Sequence, residues 1–261
     1  MTEVASENAH ANLIGQVVLV ARDAGRAIMS VYGKVGSACA YKGNLSPVTL
    51  ADSISHQVIL KGLERLSPCW PMLSEESAAI PFDQRKMWSH FWMVDPLDGT
   101  KEFLGMNGEF TVNIALMENN VPILGVVYAP AYDKLYFAAR GCGAFREHQG
   151  GISKVNVKCP VTSALRVVLS RSHALPGHDP VLTQGTAACE YILMGSSLKF
   201  CLIAEGTADV YSRCGPTMEW DTAAAHCILE EAGGSITDLN GNDITYNKPE
   251  LLNPGFLAKV R

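Results

Sequence analysis

Residues Phe91-Trp92-Met93-Val94 form an apolar run that ends on Asp95-Pro96-Leu97-Asp98-Gly99-Thr100. That junction limits the possible folds more than any other stretch. Consecutive apolar residues bounded by turn formers read as a buried strand. Asp95 stops it, and Pro96 has no N–H to continue a ladder. The sequence therefore predicts a strand ending at Asp95, a second carboxylate three positions on, and a helix or tight turn starting at Gly99-Thr100. Two carboxylates at a strand end supply the oxygen ligands that hard divalent cations take. Mg²⁺ in particular keeps waters and shares its sphere with substrate phosphate. Free N–H groups at the turn point at an anion. Taken alone, the cluster reads more simply as a surface turn, since Pro, Asp and Gly are turn formers.

The chain has 261 residues, long for one core and short for two independent domains. A hydrophobic share of 48% and a charged share of 18% describe an ordinary globular protein. The net charge of -5 argues against a polymeric nucleic acid or an anionic membrane as partner. It leaves room for a small anionic substrate, because bound metals invert the local field. No apolar run approaches the roughly 18 residues of a membrane span. The stretch Met1–Glu7 carries acids and no basic segment, unlike a signal peptide. The eight cysteines are dispersed and form no C-x-x-C pair. Free thiols in a reducing cytoplasm are expected rather than disulfides or a zinc site.

Apolar positions at Leu13, Val17, Val20, Ala24 and Ile28 predict a helix from about Ala9 to Tyr32. Ser46-Pro47 is expected to open a second helix with Pro47 in its first turn and Ile54, Val58 and Leu66 on its apolar face. Thr49 and Asp52 fall three apart near its start. Trp70–Leu73 predicts a short strand delivering Glu75, and residues 77–89 a polar connection. Phe110–Met117, Val121–Tyr128 and Leu135–Phe137 predict an antiparallel meander with a tight turn at Glu118-Asn119-Asn120. Glu147–Gly151 reads as an exposed tip. Beyond about Val155 the pattern alternates: strands at Arg166–Leu169, Tyr191–Met194 and Asp209–Tyr211, and helices at Asp179–Gln184, Leu198–Glu205 and Glu219–Ala232. An α/β unit packed on the meander follows, with an N-terminal half over 1–155 and a C-terminal half over 156–261.

The last helix begins Trp220-Asp221-Thr222. Alone, Asp221 is a cap or a partner of the helix dipole. It is nonetheless the fourth acid placed at the end or start of a regular element, after Glu75, Asp95 and Asp98. Two like charges about 4 Å apart cost about 4 kcal/mol at an effective dielectric of 20. Several such pairs exceed a typical stability of about 5–15 kcal/mol. If these acids converge, cations must accompany them.

Leu73-Ser74-Glu75-Glu76, Asp95-Pro96-Leu97-Asp98-Gly99-Thr100 and Trp220-Asp221-Thr222-Ala223-Ala224 together resemble the three metal motifs of the lithium-sensitive, Mg²⁺-dependent phosphatases, the inositol monophosphatase and fructose-1,6-bisphosphatase superfamily. Ser46–Asp52 resembles the segment that carries the family's base-orienting Asp. The resemblance implies an α/β sandwich of alternating α/β/α/β/α layers. It implies two Mg²⁺ ions and allows a weaker third. Glu75, Asp95 and the Leu97 carbonyl would hold the first, and Asp95, Asp98 and Asp221 the second. Asp52, Glu75 and Thr100 would activate a water that attacks phosphorus in line. Leu97, Asp98, Gly99, Thr100 and Asp221 would surround the phosphate. Lithium inhibition is implied in the same way.

Gly195-Ser196-Ser197-Leu198-Lys199 reads as a helix N-terminus carrying hydroxyls and a lysine, a setting that binds anions. The alternative is a capped helix with a solvated lysine. Lys199, Ser196 and Arg213 are candidates for a second phosphate. This stretch, Asn107–Leu116 and Ser170-Arg171-Ser172-His173 are similar to bacterial 3'(2'),5'-bisphosphate nucleotidases of the CysQ type. That similarity implies removal of the 3'-phosphate of adenosine 3',5'-bisphosphate, with 3'-phosphoadenylyl sulfate as a further substrate, in the service of sulfur assimilation. It also implies a cytoplasmic enzyme and leaves open peripheral attachment to the inner membrane. Gly43 departs from the pattern where relatives place an acid. Two other functions stay open: an inositol or sugar monophosphatase, and a catalytically silent nucleotide-binding module.

Overall fold

The computed structural model describes residues 2–33, 40–41, 47–48, 50–77, 80–159, 164–172 and 188–261. The first elements are α1 (Thr2–Val31), β1 (Ala40–Tyr41), β2 (Pro47–Val48), α2 (Leu50–Glu64), β3 (Met72–Ser74), α3 (Phe82–Arg85), β4 (His90–Asp98) and α4 (Thr100–Leu104). A run of strands follows: β5 (Thr111–Glu118), β6 (Val121–Ala129), β7 (Lys134–Ala139), β8 (Gly143–His148) and β9 (Gly151–Val155). The C-terminal part holds β10 (Ala164–Ser170), β11 (Ala188–Met194), α5 (Leu198–Ala204), β12 (Val210–Arg213), α6 (Glu219–Glu231), β13 (Gly234–Asp238) and β14 (Phe256–Val260).

Among the described residues, β3 to β9 lie in chain order in a seven-stranded sheet. The expected meander is there, but β3 runs parallel to β4, so the sheet is not purely antiparallel. Asn119 and Asn120, at φ +49° and +65°, make the tight turn between β5 and β6, the conformation whose twist matches paired strands. The second sheet has the order β11-β10-β12-β14-β13, with β10 parallel to both neighbours and β14 antiparallel to both of its own.

Both faces of the large sheet are covered, which is why β4 reads as a continuous apolar run. Trp92, Val94, Val112, Ile114 and Leu116 pack under Val17, Ala24 and Ile28 of α1 and Ile59 and Leu63 of α2. Phe91, Met93, Ala115 and Met117 point the other way, toward Ala223, Ala224 and Cys227 of α6 and Phe200 of α5. Phe91 and Trp92 are fully buried, and side chains of this kind contribute about 1.5–3 kcal/mol each by burial. A Cβ on Gly125 of β6 would stand 2.1 Å from the Ala224 carbonyl oxygen. The bare glycine and the Ala223–Ala225 run thus let α6 lie against the sheet. The second sheet closes on the far side of α5 and α6 through Tyr211, Ile236 and Phe256.

Several expectations need correction. Pro47 does not open α2: it pairs with Tyr41 in the two-stranded β1-β2 ribbon, and the helix begins at Leu50. The buried residues of α2 are Ala51, Asp52, Ser55, His56, Ile59 and Leu63, with Val58 half-buried against the same core and Ile54 outside it. Residues 77–89 are not simply polar and exposed. Arg85 of α3 is buried and donates to Asn247 Oδ1 and the carbonyls of Ile80, Lys248 and Pro249. Thr49, Gly43, His173 and the helix expected at 179–184 lie outside the described residues. No helix among the described residues is long and apolar enough to cross a membrane.

Candidate metal and phosphate site

The strand β4 does not stop at Asp95. It continues to Asp98 across a one-residue bulge: Asp95 pairs with Asn113 and Asp98 with Thr111, three residues against two. The bulge decides the chemistry. In an unbroken strand residues three apart face opposite sides. The extra residue shifts the parity, so Asp95 and Asp98 open on the same cavity while Leu97 drops into the core beneath α1 and α2. Pro96 removes the ladder donor that would oppose this. The Leu97 N–H donates to Asp95 Oδ1 at 3.0 Å, and the buried Ser55 hydroxyl of α2 donates to the Pro96 carbonyl at 2.7 Å.

The residues assigned from the sequence to the metals, the water and the two phosphates line one cavity of about 390 Å³: Asp52, Glu75, Asp95, Leu97, Asp98, Gly99, Thr100, Ser196, Lys199, Arg213 and Asp221. Besides β4, which carries Asp95, Leu97 and Asp98, they arrive from six places in the fold. Asp52 comes from the first turn of α2. Glu75 follows β3, held by its N–H to the Val94 carbonyl at 3.2 Å. Gly99, at φ +92°, caps the five-residue α4 and presents Thr100. Ser196 and Lys199 flank the start of α5, and Arg213 ends β12. Asp221 sits in the first turn of α6, where its Oδ2 also accepts the Met218 N–H at 2.9 Å. It is both the helix cap and a wall of the cavity.

Burial pushes Asp95 well above the usual carboxylate range, and the charges of Glu75, Asp98, Asp221 and Asp52 push it further. Asp221 is raised well by burial and then by Asp98. Asp98 is raised by burial too, but Lys199, the Ser197 N–H and the Asn113 amide pull it back. Lys199 is pushed down by burial, against the attraction of Asp98. The wall formed by these acids is short of positive charge. Acid oxygens in that state are a donor set for hard cations. Among the described residues, no three carboxylate, imidazole or thiolate side chains already stand as a ready-made cage for one ion. The acids ring the cavity and leave its centre open.

The lining at the start of α5 is built differently. Ser196 holds φ +48°, uncommon for a residue with a side chain. The Ser197 N–H donates to Asp98 Oδ2 at 2.6 Å, so this N–H faces a carboxylate of the chain itself rather than standing free as at a bare helix terminus. The Ser197 hydroxyl donates to Asn113 Oδ1 at 2.7 Å and lies 2.8 Å from the Thr111 hydroxyl. Lys199 is buried, donates to the Ser196 carbonyl at 2.5 Å and stands over the Tyr211 ring. The buried Arg213 Nε has no hydrogen-bond partner among the described residues. Such an orphan N–H is what a ligand oxygen satisfies.

Ser197 braces Asp98 through its N–H and is itself held by Thr111 and Asn113, two residues given no site role from the sequence. Their signal was present: two polar residues at alternate positions of an otherwise apolar strand share a face. Glu102, also on the cavity wall, accepts from the Ser172 hydroxyl. His56 is packed against the Ser74 hydroxyl at 3.0 Å and His226 against the Tyr246 hydroxyl at 2.9 Å. The described cysteines are free thiols.

The sequence model of the inositol monophosphatase family matches residues 10–259. The 3'(2'),5'-bisphosphate nucleotidase CysQ of Salmonella typhimurium is 47% identical over 253 residues, which is 95% of this chain and all of that one. The CysQ of Escherichia coli K12 is 46% identical over 250 residues, with the same coverage. Among solved structures, CysQ from Bacteroides thetaiotaomicron superposes with a TM-score of 0.84 at 38% identity, covering 96% of this chain and 97% of that chain. The fold, the bulged acid strand and these likenesses agree: the chain belongs to the inositol monophosphatase family.

Proposed function

We propose that the protein is a Mg²⁺-dependent phosphatase that hydrolyses the 3'-phosphate of adenosine 3',5'-bisphosphate to AMP, and that it also accepts 3'-phosphoadenylyl sulfate. One observation carries this reading. A single cavity is lined both by the acids Glu75, Asp95, Asp98 and Asp221 and by Ser196, Lys199 and Arg213. A substrate with two anionic groups fits such a division. The nucleotidases reported above support the same choice, and a silent module would be expected to lack one of the acids.

Glu75, Asp95 and the Leu97 carbonyl would hold one Mg²⁺, and Asp95, Asp98 and Asp221 a second. When bound, the ions lower the pKa of a water and neutralise charge on the phosphoryl oxygens. Asp52, Glu75 and Thr100 would orient and activate the attacking water. Gly99 and Thr100 N–H groups fix the reacting phosphate. Ser196, Lys199 and Arg213 hold the other phosphate, so the ester bond sits in line. The chain's contribution is positioning and charge, which is what phosphoryl transfer requires. In this reading, residues 1–155 form the metal-binding half and 156–261 the substrate-binding half. The complete stack has five layers, α/β/α/β/α, and the enzyme works in the cytoplasm.

Phosphate release with Mg²⁺ tests it. Adenosine 3',5'-bisphosphate should give a higher kcat/KM than inositol 1-phosphate or fructose 1,6-bisphosphate, with inhibition by lithium. A higher kcat/KM on inositol 1-phosphate would replace the nucleotidase reading with an inositol phosphatase.

A further inference from the structure

A buried acid of the segment after α4, Glu109, reaches across to the turn after β10. Glu109 is 6% exposed. Its Oε2 accepts from Arg171 Nε at 2.7 Å and its Oε1 from Arg171 Nη2 at 2.6 Å, a two-bond fork. The same Oε2 accepts the Gly195 N–H at 2.7 Å. Arg171 Nη2 donates onward to the Leu193 carbonyl at 3.0 Å, and the Arg171 N–H to the Met194 carbonyl at 3.2 Å. Glu109 therefore fastens the last turn of β11 and the first residue of the Gly195-Ser196-Ser197 loop in one grip.

The Glu109 backbone closes the other side. Its carbonyl oxygen would lie 3.1 Å from a Cβ on Gly99 and 2.7 Å from a Cβ on Gly195. A Cβ on Gly99 would also lie 3.3 Å from Ser196 Cβ. One residue thus stands between the loop that presents Thr100 and the loop that presents Ser196 and Lys199. Neither glycine has room for a side chain on that side.

We propose that the Glu109–Arg171 pair is a positioning strut that sets the spacing between the reacting-phosphate loop and the second-anion loop, and so favours substrates with two phosphates over those with one. The inference rests on the proposed nucleotidase reading. The physical grounds are separate from it. An exposed ion pair contributes little. Here the carboxylate is buried, the guanidinium meets it with two parallel bonds, and a backbone N–H shares the same oxygen. Lysine can supply the charge but not the fork. A point-charge substitute should therefore leave the loop loosely placed.

The test uses the full-length enzyme with Mg²⁺ and compares adenosine 3',5'-bisphosphate with inositol 1-phosphate. Arg171→Lys and Glu109→Gln should lower the ratio of the two kcat/KM values at least about tenfold, roughly the loss expected for a charge-assisted fork. The change should appear mainly as a higher KM for the bisphosphate. Calorimetric binding of AMP, which carries only the second phosphate, should weaken in parallel. Arg171→Lys keeps the charge, so it remains informative if Glu109→Gln folds poorly. Equal losses on both substrates, or an unchanged ratio, would overturn the strut. If the parent enzyme releases no phosphate from the bisphosphate, the nucleotidase reading falls first and this inference with it.

Discussion

At the residue scale the site turns on acids that resist ionisation together. Asp98 is the most instructive, because its surroundings are mixed: burial raises it, while Lys199, Ser197 and Asn113 restrain it. An amide in its place keeps the acceptor for the Ser197 N–H and loses the charge. Asp98→Asn is therefore expected to fold, to melt no lower than the parent in chelator, and to lose at least about 10²-fold in kcat. Calorimetry should show one fewer tight Mg²⁺; near-normal activity would remove Asp98 from the metal set. Lys199 gives a second test. Lys199→Ala should raise KM for adenosine 3',5'-bisphosphate about 10- to 100-fold, the range of a lost charged hydrogen bond, and affect inositol 1-phosphate far less. Equal effects would return Lys199 to a purely structural role. The acids were legible in the sequence because each sits at the junction of an element. Their braces were not, since Thr111 and Asn113 look like two polar interruptions until the bulge shows which face they share.

At the element scale, local rules served long elements and failed where tertiary contacts take over. The periodicity of α1 marked Val17, Val20, Ala24 and Ile28, all buried. The two asparagines of the β5–β6 turn fixed a hairpin that a local rule can see. By contrast, Pro47 looked like a helix opener and became a strand residue, because β1 was there to pair with it. Strands β13 and β14 carried no periodic signal strong enough to be read; each is five residues long and depends on its neighbour. Arg85 was invisible for a related reason. Its partners, Asn247, Lys248 and Pro249, lie more than 160 positions away, at separations |i−j| of 162 to 164. The close seat of α6 also depends on residues remote in sequence. Gly125→Ala would drive a methyl group into the Ala224 carbonyl. The expected cost is about 1–3 kcal/mol or more, together with weaker Mg²⁺ binding, because the shift moves the helix that carries Asp221. A melting curve and a Mg²⁺ titration check both; a variant with parental values would mean that α6 has slack.

At the scale of the whole molecule, folding and metal binding are linked through protons. Asp95 and Asp221 are raised well above the ordinary carboxylate range in the folded, metal-free chain. The unfolded chain releases its protons at the ordinary values. Between the two, the native state binds more protons than the unfolded state, so unfolding free energy falls as pH rises. In chelator the protein should therefore be most stable at mildly acidic pH and lose stability toward neutral and alkaline pH. Mg²⁺ binds the deprotonated acids and opposes that loss. The increase in Tm on adding Mg²⁺ should grow with pH, since protons compete with the ion for the same oxygens at the acidic end. Thermal melts at fixed ionic strength, with chelator or with excess Mg²⁺ at each pH, give the comparison directly. In Asp95→Asn the pH slope in chelator should flatten, because one of the two strongly raised carboxyls has been removed. A Mg²⁺ stabilisation that stays constant across pH would mean that the buried acids of the cavity do not hold the ions.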